Sequence, residues 1–278
     1  MKKIALILLL IAGIRYLCSA EGNYPFTVKE SGSGKRAIVF IPGFACSGEV
    51  WNETVAHFKS NHTGYVLTMG GFAGAPAGDA PDIQNWVKQI AAFIQEKKME
   101  RPVIVGHSLG GVMAQCLAAD YPQLVSQIVV VDALPCLPAL SNPSFEASPQ
   151  ADCSLFINKF TSMDKDQFYQ MQKVTMANLV ADTSKIETIA EWSVLSDRTT
   201  MALIFCQLMN TDIRNKISAV KCPTLVLLEP NFKGIHANIE EQYKNLKGAQ
   251  LHYADKGLHF IMYDESAWYL EQLKNFIQ

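Results

Sequence analysis

Residues 103–115 read Val-Ile-Val-Gly-His-Ser-Leu-Gly-Gly-Val-Met-Ala-Gln. The three β-branched residues at the start suit a strand buried on both faces. Gly106-His107-Ser108-Leu109-Gly110 then forms Gly-x-Ser-x-Gly, and residues 112–121 carry a helical pattern. Strand, tight turn, helix is the setting of a nucleophile elbow, a strained turn that lifts a serine hydroxyl above the end of a sheet. Gly106 and Gly110 leave room for the turn, and the helix from Leu109 sets its positive dipole end beneath the hydroxyl. A small residue in an ordinary tight turn is the competing reading of Ser108, and the flanking strand and helix argue for the nucleophile.

Outward from this turn, strands and helices alternate. Strand patterns fall at about 24–32, 36–41, 65–69 and 128–131, and helical ones at 50–60 and 83–97. In the last of these Trp86, Ile90 and Ile94 recur every four residues. The alternation stops at 134–216, where a Pro-rich loop precedes helical patterns only. It resumes with a strand at 222–228, a helix at 238–246, a strand at 250–253 and a helix at 266–277. This order predicts an α/β fold: a mostly parallel sheet flanked by helices, with an inserted all-helical cap. The core is expected over 21–133 and 217–278, the cap over 134–216. An insertion at the sheet's C-terminal edge lies where open α/β sheets bind ligands; a helical insertion without a substrate role is the alternative.

The 278 residues are 49% hydrophobic and 18% charged with a net charge of −2. That balance excludes a disordered chain and gives no basic surface for nucleic acid. Lys2 and Lys3 precede the apolar run 4–14, and Cys18-Ser19-Ala20 supplies small residues. That is the layout of a secretory signal peptide over 1–20, predicting an exported, periplasmic or secreted protein. The apolar run is short for a bilayer, so no stable anchor is expected after cleavage. Lipidation at Cys18 is the alternative, with bulky Arg15-Tyr16-Leu17 a poor lead-in. Six further cysteines follow. Cys116 and Cys206 sit in apolar helical patterns and read as core thiols, while Cys136 and Cys153 flank one loop and form the pair suspected of bridging. No spacing suggests a metal, and nothing suggests an organic cofactor.

The chain resembles the α/β-hydrolase fold superfamily, as a serine hydrolase with a helical cap. The matching features are Ile41-Pro42-Gly43-Phe44 after an early strand, the Ser108 turn, the helical insertion, Cys222-Pro-Thr-Leu-Val-Leu, and Gly257-Leu-His-Phe near the end. The resemblance implies catalytic Ser108 with His259 as base, His236 being its only positional competitor. It implies an oxyanion hole from the backbone N–H groups of Leu109 and Phe44. Many relatives carry His-Gly where this chain has Pro42-Gly43, a change that leaves the backbone donors in place.

The acid departs from the common pattern. The strand at 224–228 runs into Glu229-Pro230, with no Asp in the following loop. Asp132, ending the strand after the elbow helix, stands where some cap-bearing relatives place their acid. Asp132 is the preferred acid and Glu229 the alternative; an Asp that merely caps a turn is the plain competitor.

A serine with a neutral His base forms an acyl-enzyme that water releases. Small, apolar carboxylic esters or thioesters are the expected substrates. Amide and carbon–carbon cleavage are alternatives on this scaffold, whereas the haloalkane- and epoxide-cleaving relatives use an Asp where Ser108 stands. A ligand receptor with little turnover is the reading from another class. Phe156, Phe160, Met163, Phe168, Met171, Met176, Met201, Phe205 and Met209 make the cap apolar, as pocket lining or as its own core. The Gly-rich loop 70–79 is expected to border the site.

Overall fold

The computed structural model describes residues 24–148 and 150–277; the 1–20 leader lies outside them. Seven strands form one sheet: β1 (Phe26–Gly32), β2 (Arg36–Ile41), β3 (His62–Met69), β4 (Val103–His107), β5 (Gln127–Val131), β6 (Thr224–Leu228) and β7 (Ala249–Tyr253). Their order is β1-β3-β2-β4-β5-β6-β7. All neighbours are parallel except β1, which runs antiparallel to β3 at one edge. The central strands β4 and β6 are buried at every residue, as continuous apolar runs require when both faces are covered.

Alternation along those strands sends side chains to two cores. Val39, Ile41, Ile104 and Val130 pack with α2 (Ile83–Glu96) and α3 (Leu109–Asp120). Ile38, Phe40, Val105 and Val131 pack on the other face with α1 (Asn52–Phe58) and α10 (Ser266–Phe276). Asp82 caps α2 by accepting from Asn85 N–H at 2.6 Å. The α3 helix begins at Leu109, three residues before the apolar pattern does, because Gly110 and Gly111 are needed there: a Cβ on Gly111 would lie 2.7 Å from that of Ala133.

Between β5 and β6 stand only helices: α4 (Ser154–Thr161), α5 (Lys165–Ala177), α6 (Thr183–Leu195) and α7 (Arg198–Met209), besides short 3-10 turns. Asp164, Asp182 and Asp197 cap the last three. α4 packs on α7 and α5 on α6. Arg214 fixes the preceding loop, donating to Pro143 O and Phe145 O while paired with Asp212. α8 (His236–Tyr243) and α9 (Ile261–Asp264) complete the chain. No helix among the described residues is long and apolar enough to cross a membrane.

The cysteines differ from expectation. Cys153 bridges Cys206, not Cys136, across 5.6 Å between Cα atoms. Cys153 caps the start of α4 and Cys206 lies on α7, so helix pairing, not proximity along a loop, brings the sulfurs together. Cys206 is therefore not a core thiol, and Cys136 is a buried free one whose N–H donates to Gln242 Oε1.

Candidate active site

β2 and β4 are neighbours although β3 intervenes in the chain, so the loops after them leave the sheet in opposite directions and open a crevice at its C-terminal edge. Ser108 follows β4, Phe44 follows β2, and Asp132 follows β5. Ser108 has φ 52° and ψ −119°, a left-handed backbone that a non-Gly residue rarely adopts. Its N–H donates to Val131 O at 2.9 Å. The turn tolerates no side chain at its glycines: a Cβ on Gly106 would lie 2.1 Å from Gly110 O, and one on Gly110 2.2 Å from Ile41 O.

One strand over, the backbone repeats the trick. His107 pairs with Val131, so the next residue of each strand, Ser108 and Asp132, turns off the sheet side by side. Asp132 also has positive φ, 47°, and its N–H donates to Leu227 O at 2.7 Å. Its side chain is buried. Oδ2 accepts from His259 Nδ1–H at 2.6 Å, and Oδ1 accepts from Glu229 N–H at 2.7 Å. With Nδ1–H committed to the carboxylate, His259 keeps Nε2 free as a proton acceptor.

Glu229 thus meets the pair through its backbone amide. Its carboxyl lines the same cavity, where burial first and the Asp132 charge second raise its pKa. A second negative charge beside Asp132 makes ionising Glu229 costlier.

His259 is held on its backbone too. His107, almost fully buried, donates Nε2–H to His259 O at 3.0 Å, and their rings lie 4.6 Å apart. Burial, with a smaller contribution from His259, holds His107 well below the usual histidine range, so it is a neutral donor. Leu258 N–H donates to Asp264 at 2.8 Å, and the same carboxylate accepts from Ala181 and Asp182 N–H of the insertion. Phe260 N–H reaches Leu179 O. The loop that carries His259 is therefore fastened to the α5–α6 corner.

Leu109 is the first residue of α3, so its N–H has no carbonyl within the helix. The Phe44 N–H makes no hydrogen bond among the described residues. Both residues line a cavity of about 530 Å³ with Ser108, Asp132 and His259. Its remaining wall is mostly apolar and comes from the insertion: Phe156, Phe160, Met171, Met176, Phe205 and Leu208. Phe168 and Met201 are instead fully buried in packing, and Met163 and Met209 stand outside the lining. Cys46 also faces the cavity; burial pushes its thiol up to about 12, which keeps it protonated and unreactive.

Three further placements bear on the expectations. The 70–79 loop does not line the cavity; its Phe72 stands behind Phe44, ring centroids 5.3 Å apart. His236 is exposed at the start of α8, its ring donating to Lys233 O, outside the lining. Gln172 and Ser193, buried polar residues of α5 and α6, line the cavity; on single helices their polarity carries no signal, because which face turns inward depends on how the helices pair. Among the described residues no group of three or more His, Cys, Asp or Glu side chains is placed to hold a metal ion.

Comparison with known proteins agrees with this architecture. The family model described as alpha/beta hydrolase fold matches residues 36–152. A pimeloyl-[acyl-carrier protein] methyl ester esterase of Edwardsiella ictaluri is 26% identical over 203 residues, covering 70% of this chain and 74% of that protein. Among solved structures, the enol-lactonase of Burkholderia xenovorans LB400 superposes with a TM-score of 0.74 at 15% identity, over 91% of this chain and 96% of its own. An esterase of Exiguobacterium antarcticum gives 0.73 at 17%, over 90% and 94%.

Proposed function

We infer that the chain is a member of the α/β-hydrolase fold superfamily, whose family model matches residues 36–152; Ser108, His259 and Asp132 share one cavity at its sheet edge. We propose an exported serine esterase acting on small, largely apolar carboxylic esters or thioesters. The observation that carries this reading is the 2.6 Å His259–Asp132 hydrogen bond beside a serine in a strained left-handed turn.

In the proposed reaction His259 Nε2 takes the Ser108 proton as Oγ attacks the ester carbonyl. Asp132 fixes the imidazole tautomer and stabilises the imidazolium that forms. The tetrahedral oxyanion accepts hydrogen bonds from the N–H groups of Phe44 and Leu109. Collapse breaks the bond to the alcohol, which leaves with the proton from His259. Water then enters, gives a proton to the same nitrogen, and attacks the acyl-enzyme; the proton returns to Ser108 as the acid departs.

The apolar wall supports an apolar acyl or alcohol group, and the esterase among the relatives supports ester over amide. The Cys153–Cys206 disulfide supports export, since such bonds persist in oxidising compartments. The test is intact-mass analysis after brief exposure to a fluorophosphonate. One adduct on the wild type and none on Ser108→Ala is the expected result. No adduct on folded wild type overturns the hydrolase reading in favour of a binding role.

A further inference from the structure

The insertion's wall of the cavity is mostly apolar, with exposed Lys159 and Thr175 and one buried polar patch. Gln172 on α5 is 5% exposed and Ser193 on α6 is 2% exposed, and both line the cavity. The Gln172 carboxamide makes no hydrogen bond to any described residue. It is not packed shut by protein either, unlike Gln115, whose Oε1 is sealed in the core without a partner. Ser193 donates only a long bond, 3.4 Å, to Ile189 O. Thr175, by contrast, spends its hydroxyl on Met171 O at 2.9 Å.

Buried amides and hydroxyls are nearly always hydrogen-bonded, so an amide opening onto an apolar cavity without a partner marks a place for a ligand atom. Neither side chain is charged, and burying a charged ligand group there would leave it uncompensated. The place along the wall follows from helix spacing. Leu179 touches the loop that carries His259, Met176 packs in one cluster with Phe260, and Gln172 lies about one turn further, about 6 Å along α5.

We propose that Gln172 and Ser193 form a polar subsite for an uncharged hydrogen-bonding group, an amide or a hydroxyl, carried on the substrate's chain away from the scissile ester. This rests on the esterase reading and narrows its substrates from simple alkyl esters to functionalised ones. A plain alkyl chain would press methylenes against the Gln172 amide and leave it unpaired. A chain with the group at the right distance pairs it, a difference worth roughly tenfold.

The test compares methyl esters of ω-acetamido and ω-hydroxy acids, four to eight carbons long, with alkanoates of matched chain length. One length of a functionalised series is expected to exceed its alkanoate roughly tenfold in kcat/KM. The advantage should collapse in Gln172→Leu and shrink in Ser193→Ala, each checked for wild-type melting. An equal ratio in the wild type and in whichever variant folds, at every length, overturns the subsite. Should the fluorophosphonate adduct be absent and no ester be cleaved, the esterase reading fails separately. The same compounds are then titrated calorimetrically into Ser108→Ala: tighter binding of the functionalised chain, lost with Gln172→Leu, supports the subsite, and equal binding overturns it.

Discussion

The two walls of the cavity are built by different means. On the sheet side every group is fixed by the backbone: Ser108 and Asp132 turn off adjacent strands with positive φ, and glycines with no space for a methyl surround them. On the insertion side the wall is side chains on four helices, held by aspartate caps and one disulfide, with Leu155, Val174 and Leu195 left exposed. The first kind of wall cannot vary without disturbing the placement of Ser108 and Asp132. The second can change residues one at a time, and that is where selectivity for a substrate can be altered while the chemistry stays fixed.

The largest expected break in this contrast is Asp132→Asn, which keeps the shape but no longer holds the His259 tautomer. Ester kcat should fall by about 10³–10⁴. Glu229→Gln, which leaves the Glu229 N–H on position 132, should stay within about threefold. Equal losses in the two steady-state assays would mean that both carboxylates serve the imidazole. Gly106→Ala comes next: with 2.1 Å to Gly110 O, the turn must open, and melting should drop by about 10 °C or more, or the protein should not fold.

Effects on the insertion side should be smaller and graded. Cys153→Ser removes a cross-link spanning 53 residues, and about 2–4 kcal/mol of stability should go with it, read by denaturant melts with and without reductant. Asp264→Ala leaves three N–H groups without their carboxylate and loosens His259. A fall of roughly tenfold in kcat is expected with KM little changed, and Asp264→Asn should recover part of it.

The finest effect concerns pH. The Glu229 carboxyl is raised by burial, so the fold favours its protonated form. Its stabilising contribution is present below the ordinary carboxylate range and is lost as pH rises through the raised value. Glu229→Gln should therefore melt higher than the wild type at pH 8, by about 1–2 °C, and no higher at pH 4.

Much of the sheet was legible because its central strands are buried on both faces and so read as unbroken apolar runs. Where polarity interrupts a strand the reading stops short: β3 starts at His62, not Tyr65, because His62, Thr63 and Gly64 are held by pairing with β2 and, at 63–64, with β1. The positions of Ser108, Asp132 and His259 follow from where strands end, a local property. The Cys153–Cys206 bridge, the Gln172 patch and the Asp264 clasp depend on how helices meet. Nothing within one helix encodes which neighbour it will find.

The fastening of Leu179, Ala181 and Asp182 to the loop around His259 has a consequence for traffic. If the insertion swung open at that corner, it would drag His259 off Asp132 with every passage. Leu137 and Lys159 line the cavity while standing in solvent, on parts of the insertion that this fastening does not touch. Traffic past those two residues would leave the Asp132–His259 pair assembled.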